Sequence, residues 1–190
     1  SGMRRFQGYV KGDTLTIRGT AKYTTDNWNG SLTLYLPENY RWKQATLELG
    51  AGSLEAERLT ADILEAHVGA GQMIFDELNA DQTTFDCGMG QLIAEQMQSR
   101  IVDAVVGMGS LQLTGDVTEQ LTGECSMGEL QIEMNGAQTD FNYDLSCGMG
   151  ELTIEDDSYS GMAQKKQINN DAVKNMDLEC AMGSVSVQFD

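Results

Sequence analysis

Gly50-Ala51-Gly52 is the first of seven related tripeptides along the chain. The others are Gly69-Ala70-Gly71, Gly88-Met89-Gly90, Gly107-Met108-Gly109, Ser126-Met127-Gly128, Gly148-Met149-Gly150 and Ala181-Met182-Gly183. The first five begin at residues 50, 69, 88, 107 and 126, so each step is 19 residues. The last two steps, 126 to 148 and 148 to 181, are 22 and 33 residues, which we interpret as 19 plus insertions of 3 and 14. A fixed period of about 20 residues is typical of a solenoid.

Apolar residues occupy fixed places relative to each tripeptide. The residues four and six positions after its first residue are apolar in every copy, for example Leu92 with Ala94 and Leu111 with Leu113. Apolar residues two apart, with polar residues between them, follow the period of a β-strand. Each copy is therefore predicted to be a coil of short strands, with glycines at a corner where the backbone turns sharply.

Residue sizes within the columns also fit stacked coils. Stacking would place equivalent residues about 4.8 Å apart, so Phe75 is expected to lie between Ala56 and Ala94. A large residue between small ones suits a narrow, close-packed interior. We predict an all-β fold, a single-stranded β-helix or β-solenoid that is right-handed and has about seven coils with a 19-residue repeat.

The first 45 residues lie outside the strict repeat. They are predicted to form an N-terminal β cap (residues 1–45), because a solenoid needs its open end covered. Leu15 and Ile17 alternate with polar residues, as do Leu32, Leu34 and Leu36, and both segments are predicted to be strands. Residues 27–30 are predicted to form a turn between them.

Residues 46–190 are predicted to form the coils, in one structural domain with the cap, with insertions near 135–143 and 156–172. The longer insertion contains Tyr159, Lys165 and Lys166. Because loops often carry binding function, these three residues are a candidate binding loop. The alternative is a solvated excursion without a role.

The net charge of −17 at pH 7 is concentrated in the coils. Residues 1–45 hold seven basic and three acidic side chains, whereas the remainder hold five and 26, so the two parts carry +4 and −21. A negative field of this size repels nucleic acid and anionic lipid. Nucleic acid is therefore not an expected partner.

Acidic residues recur seven positions after the start of the tripeptides. Thr114 and Gln188 interrupt this acidic column, whose members are Glu57, Asp76, Glu95, Glu133 and Glu155. Carboxylates on successive coils would repel each other, and Ca²⁺ would relieve that repulsion because it prefers several oxygen ligands. The column is a speculative binding site, and Ca²⁺ is its candidate ion. The alternative is a solvated face with side chains splayed into water.

Methionine stands at the centre of the last five tripeptides. These residues form the methionine column: Met89, Met108, Met127, Met149 and Met182. Ala51 and Ala70 occupy the same place in the first two tripeptides, so the methionines are expected to fill space at the corner. An exposed apolar stripe and a Cu(I) thioether site are the alternatives.

A cysteine column lies one position before the tripeptides. It contains Cys87, Cys125, Cys147 and Cys180, and the last three are expected on successive coils. Val and Leu fill the same column elsewhere, and a buried free cysteine behaves as a small apolar residue. We therefore predict core packing rather than a metal site or a disulfide framework.

Catalysis is not expected. His67 is the only histidine, and it is placed on the outward side of its coil. A Ser-His-Asp or Cys-His arrangement would need it, and no serine or cysteine of the repeat faces the same way. The sequence therefore offers no catalytic residue, and no metal-ligating set is assigned.

The segment Leu15-Thr16-Ile17, the strand Leu32-Thr33-Leu34-Tyr35-Leu36-Pro37 and the Gly-x-Gly coils after them resemble the DUF4097 family of bacterial adhesins. That family has a strand ending in Leu-Pro, followed by Gly-x-Gly repeats about 19 to 20 residues apart. The resemblance covers nearly the whole chain. It implies a β-helical solenoid outside the bacterial cell, often behind a membrane anchor that would lie outside this sequence. It carries over no catalytic residue.

Three functions are compatible with these features. The leading expectation is a non-enzymatic module on the cell surface or secreted, an adhesin that binds a glycan or protein ligand. The second is an envelope-associated regulatory or structural domain that docks a membrane partner. The third and least favoured is a glycan-acting β-helix enzyme.

Overall fold

The structure is a computed structural model and describes residues 6–19, 31–37, 39–159 and 164–190. The chain falls into two units, Ser1–Glu38 and Asn39–Asp190. The repeats seen in the sequence all belong to the second unit.

The first unit contains a β-hairpin. Strand β1 (Phe6–Lys11) pairs antiparallel with β2 (Thr14–Gly19), which confirms the strand predicted around Leu15 and Ile17. The strand predicted at Leu32–Leu36 is wrong, because residues 31–37 form no strand with any of the described residues. The turn predicted at 27–30 lies outside those residues.

The described residues of the second unit form almost only strands, with a short 3-10 helix at Gln138–Asp140. Its strands are β3 (Trp42–Leu49), β4 (Ser53–Val68), β5 (Gln72–Cys87), β6 (Gln91–Val106), β7 (Ser110–Cys125), β8 (Glu129–Met134), β9 (Phe141–Cys147), β10 (Glu151–Ile154), β11 (Asp157–Ser158), β12 (Gln164–Ile168), β13 (Lys174–Cys180) and β14 (Ser184–Phe189).

Strands β4 to β7 each run around most of one coil. In β5 the buried residues are two apart along each side and three apart at each bend: Met73, Phe75, Leu78, Ala80, Thr83, Phe85 and Cys87. This spacing gives a coil with three sides, closed at the tripeptide. Neighbouring coils pair parallel with a 19-residue offset, as in Leu54↔Met73 and Met73↔Leu92. The predicted β-solenoid with its 19-residue repeat is confirmed.

In two of the core columns a phenylalanine lies between smaller residues. Phe75 lies between Ala56 and Ala94, as predicted, and is fully buried. The centre of its ring lies 6.1 Å from the centre of the Phe85 ring, which is on another side of the same coil. Burying a phenylalanine completely contributes about 1.5–3 kcal/mol, so this pair is a substantial part of the stability of its coil.

The third residue of the tripeptide is glycine in all seven copies, whereas the first is also Ser126 and Ala181. A Cβ at Gly109 would overlap the carbonyl oxygen of Gly90 on the preceding coil. The same overlap recurs at the third position of the other stacked coils, while the first position is less crowded. The backbones therefore approach most closely at the third position, which explains why only that glycine is never replaced.

The coils do not stack in chain order. Strand β13 pairs parallel with β7 on one side and with β9 on the other, through Cys180↔Cys125 and Cys180↔Cys147. Strand β14 likewise lies between β8 and β10. The final coil is thus inserted between the two that precede it, and we call residues 174–189 the inserted rung. The sequence predicted an insertion near 156–172 but not this change in the order of the coils.

The two insertions connect the strands whose order in the stack differs from their order in the chain. After β10 the chain turns into β11, which pairs antiparallel with β10, and then forms β12, which pairs antiparallel with the outer edge of β9. The reversal at β12 brings the chain back so that β13 runs parallel to β9 on its other edge. The antiparallel strands cover the outer edges of β9 and β10, which would otherwise offer unpaired backbone groups.

Replacing Gly109 by alanine should destabilise the solenoid, because the new Cβ would overlap the carbonyl oxygen of Gly90 and lie 2.9 Å from the sulfur of Cys87. We expect a loss of about 2–3 kcal/mol in the free energy of unfolding, measured by urea denaturation. Gly50→Ala is the matched control, since no atom lies within 4 Å of its added Cβ. Equal losses in both variants would contradict the packing argument.

Removing residues 174–190 should leave β9 and β10 without their inner partners. Hydrogen exchange followed by mass spectrometry should show loss of protection in residues 141–154, while β5 and β6 stay protected and serve as the internal reference. If 141–154 keep their protection, β9 has moved against β7 in the shortened chain, and the inserted rung is not required for their order.

Candidate functional site

The acidic column is only partly assembled. Glu57, Asp76 and Glu95 lie on the outside of the first bend of three successive coils, next to the paired residues Ala56↔Phe75 and Phe75↔Ala94. Coils spaced by about 4.8 Å therefore bring three carboxylates into a row, which we call the acidic row. It is the longest uninterrupted run of the predicted column.

The other two members of the column are separated from this row. Thr114 follows Glu95, and its hydroxyl lies 3.4 Å from the carboxylate of Glu133, to which it donates a hydrogen bond. The inserted rung then places Gln188 between Glu133 and Glu155.

Glu155 has a structural contact of its own. It occupies the turn between β10 and β11 with φ of 52°, and its carboxylate accepts a 2.6 Å hydrogen bond from the backbone N–H of Phe189. This contact holds the end of β14 in place.

Among the described residues, no three His, Cys, Asp or Glu side chains are close enough together to hold a metal ion. The calcium hypothesis therefore has no converging ligand set in that part of the chain. The acidic row remains a row of single carboxylates, each open to solvent or to a partner.

A second set of charges forms a ladder between coils that the sequence reading missed. Arg58 pairs with Glu77 at 2.7 Å and Arg100 with Glu119 at 2.6 Å, each across one 19-residue step. Arg41 contacts both Asp62 and Asp81, which lie on two successive coils. These pairs are exposed, so each contributes about 0–1 kcal/mol. For the Arg58 and Arg100 pairs, the signal in the sequence is a basic residue followed 19 positions later by an acidic one.

The predicted binding loop is an edge cap. Lys166 Nζ lies 4.6 Å from the centre of the Tyr159 ring and 3.4 Å from its hydroxyl oxygen. Tyr159 is nearly buried, and its backbone N–H donates to Leu152. Lys165 is exposed on β12 opposite Ser146. The structure thus brings Tyr159 and Lys166 together, and both lysines lie on the strand that covers the edge of β9, where lysine discourages pairing with another sheet.

The methionine column is exposed, so the prediction that it fills space at the corner is wrong. Its members are 53–69% exposed, and they follow one another on five successive coils in the order Met89, Met108, Met127, Met182, Met149. The backbone N–H of each donates to the first residue of the neighbouring tripeptide at 2.7–2.8 Å, for example Met108 to Gly88 and Met182 to Ser126. These bonds fix the backbone while the side chains extend outward.

The cysteine column lies on the inner side of the same corner and is buried, as predicted. The thiols donate to the carbonyl oxygens of corner glycines, as Cys180 does to Gly183 at 3.1 Å. The inserted rung makes the order Cys125, Cys180, Cys147. Burial, followed by the neighbouring Cys125 and Cys147, raises the pKa of Cys180 to about 11. This thiol is therefore protonated at neutral pH and acts as a core residue.

Two like charges also face each other across neighbouring coils, a pair that was not predicted. Asp177 lies directly opposite Asp144 on β9. Partial burial, together with the negative charge of Asp144, raises the pKa of Asp177, and a hydrogen bond from Gln120 opposes this rise. Both residues lie four positions before the start of a tripeptide, at 148 and 181, so the alignment of the repeats could have indicated the pair.

Two shallow depressions lie on the described part of the surface. One is lined by Gln131, Ile132, Glu133, Ser186 and Gln188. The other is lined by Glu48, Leu49, Gly50, His67 and Gly69, and His67 Nδ1 lies 3.7 Å from Asp86. The lining of this second depression contains no hydroxyl or thiol side chain beside His67.

The comparisons with known proteins identify the family. The family described as Toastrack DUF4097 matches residues 3–177. The chain belongs to this family. No curated protein and no solved structure matches the Toastrack chain. Within the described ranges, no helix is long and apolar enough to cross a membrane.

Replacing Asp177 by asparagine should stabilise the protein at neutral pH. A raised pKa means that the folded state holds the proton more tightly than the unfolded state, so the ionised carboxylate is unfavourable above that pKa. Removing one like charge of a cross-strand pair should add about 0.5 kcal/mol at pH 7, measured by urea denaturation. The gain should shrink as the pH falls and Asp177 becomes protonated in the parent protein.

Asp103→Asn is the control for this prediction, since Asp103 is exposed and lies between Thr84 and Thr122 on the neighbouring coils. It should change stability little at any pH. A gain at Asp177 that persists unchanged in acid would show that repulsion from Asp144 is not its cause.

Proposed function

We propose that this Toastrack domain is a non-enzymatic adhesion module that acts outside the bacterial cytoplasm and binds a positively charged protein or glycan through its solenoid surface. The observation that carries the proposal is the acidic row of Glu57, Asp76 and Glu95. Three carboxylates repeat there at the spacing of the coils, at a bend that is flanked by parallel-paired residues.

The rigidity of the row supports recognition of a partner. The paired residues on both sides of the bend hold its backbone in place before binding, so less free energy is lost in ordering it than would be lost on a mobile loop. Neighbouring acidic residues are neutralised by arginine, as Glu77 is by Arg58. The acidic row itself is not engaged in any salt bridge among the described residues.

The field of the coils supports a cationic partner. The 26 acidic and five basic side chains of residues 46–190 produce a strongly negative field, which speeds association with a positive surface and is screened by salt. Binding through the row should therefore weaken as the ionic strength rises.

The first experiment is protease shaving of intact bacteria that carry the native full-length protein. Cleavage of the solenoid from outside the cell supports the adhesion module. Protection until the membrane is broken contradicts it and favours the docking domain for a membrane partner.

The second experiment identifies the surface used. Partners found in protein and glycan array screens should bind the variant E57Q/D76N/E95Q about tenfold more weakly, because three charges are removed from the contact. The variant D86N/D103N/E124Q makes the same change in net charge on exposed positions of the third side of the coils and is the control. Equal weakening in both variants would show that net charge alone, and not the acidic row, attracts the partner.

A further inference from the structure

We propose that the methionine column is a binding site for Cu(I), held by thioether sulfurs from neighbouring coils. This inference goes beyond the adhesion function and does not depend on it. It rests on the position, exposure and chemistry of five side chains.

The column places thioethers at regular intervals on one corner. Met89, Met108, Met127, Met182 and Met149 follow one another on successive coils, and the backbone N–H of each donates to the first residue of the neighbouring tripeptide. Neighbouring residues are therefore about 4.8 Å apart at the backbone. Methionine is unbranched and has three rotatable side-chain bonds, so sulfurs from adjacent coils can turn toward a single ion.

The surroundings leave the sulfurs open. Each methionine is flanked on both sides in sequence by glycine, alanine or serine, as Met108 is by Gly107 and Gly109. No long neighbouring side chain from the tripeptide can cover the thioethers, and they are 53–69% exposed. A contiguous exposed apolar stripe on a soluble surface marks a binding site more often than chance.

The residue type indicates sulfur chemistry rather than general hydrophobicity. The inward column four positions after the start of the tripeptide accepts several apolar residues, such as Leu92, Met73 and Val185. The exposed corner of the five coils contains methionine alone. A stripe that needed only apolar contact would be served equally by leucine, whereas only methionine supplies a soft thioether ligand.

The charge near the corner favours a cation. Asp86, Glu124 and Glu179 lie two residues before three of the tripeptides, and Glu129 and Glu151 follow two of them directly. Thioethers carry no proton to displace, and they select Cu(I) over the hard cations that prefer oxygen. A soft cation is therefore attracted by the acidic flanks and held by the sulfurs.

The cysteine column is the rival ligand set. The thiols lie behind the corner backbone and are buried, and burial raises the pKa values of Cys87, Cys125 and Cys180. A thiol must lose its proton to bind a metal. Copper on the thiols would therefore bind more strongly as the pH rises, whereas copper on the thioethers would be nearly independent of pH.

The test is a competition for Cu(I) between the full chain and a chromogenic Cu(I) chelator, without oxygen and with ascorbate as the reductant. The parent protein should withdraw Cu(I) from the chelator with little change between about pH 5 and about pH 8. A thiol must lose a proton to bind a metal, whereas a thioether has no proton to lose. The variant M89L/M108L/M127L/M149L/M182L keeps the exposed apolar surface and should fold normally. Mutating residues that only support metal ligands lowers metal affinity about 10–100-fold. Loss of the ligands themselves should therefore lower the Cu(I) affinity at least as much.

The control variant M73L/M97L changes two fully buried methionines and should bind Cu(I) as the parent does. Failure of the parent to compete, or equal competition by the five-leucine variant, would overturn the proposal, and the second result would place copper on the thiols. A protein partner that binds the parent and the five-leucine variant equally, with no Cu(I) effect, would identify an apolar docking stripe instead.

Spectra of the parent alone provide a readout that does not depend on the variants folding. With ¹³C-labelled methionine methyl groups, Cu(I) should shift the five column signals and leave those of the buried Met73, Met97, Met134 and Met176 in place. Shifts confined to the buried methionines would contradict the site.

Discussion

The contact on which the solenoid depends is the approach of two backbones at the third residue of the tripeptide. At Gly90, Gly109 and Gly128 a single added carbon would overlap the carbonyl oxygen of the coil before. This contact allows the corner to be as thin as the paired strands beside it, so that parallel hydrogen bonding continues around the coil. The buried columns, the charge ladder between coils and the exposed methionines all follow from coils whose corners stack directly on one another.

Much of this architecture could be predicted because a fixed period makes distant residues equivalent. Phe75 could be placed between Ala56 and Ala94 from numbering alone, and the structure has them so. The place of the inserted rung could not be predicted. Leu145 and Cys147 on β9 match Leu178 and Cys180 on β13, so both strands fit the same column, and the periodic pattern assigns no order between them.

The candidate sites likewise divide into features that the sequence predicts and features that it does not. The acidic row was predicted where the coils follow chain order, whereas the separation of Glu155 from Glu133 by Gln188 depends on the inserted rung. Asp177 and Asp144 occupy equivalent places in their coils, so the sequence could have indicated their pairing. The exposure of the methionines was not predicted, because alanine in the equivalent place of earlier coils fits an inward or an outward corner equally. The direction of a side chain at a bend depends on local backbone angles, which a two-residue period does not specify.

The inserted rung also has a consequence for how the chain reaches its native state. An ordinary repeat array can grow from one end, each coil docking on a finished neighbour. Here β9 and β10 precede β13 and β14 in the chain but lie beyond them in the stack. The inner edges of β9 and β10 therefore stay unpaired until a later segment arrives, and contacts of long sequence separation form slowly. The rate at which this solenoid closes is set by that late strand insertion rather than by the regular coils.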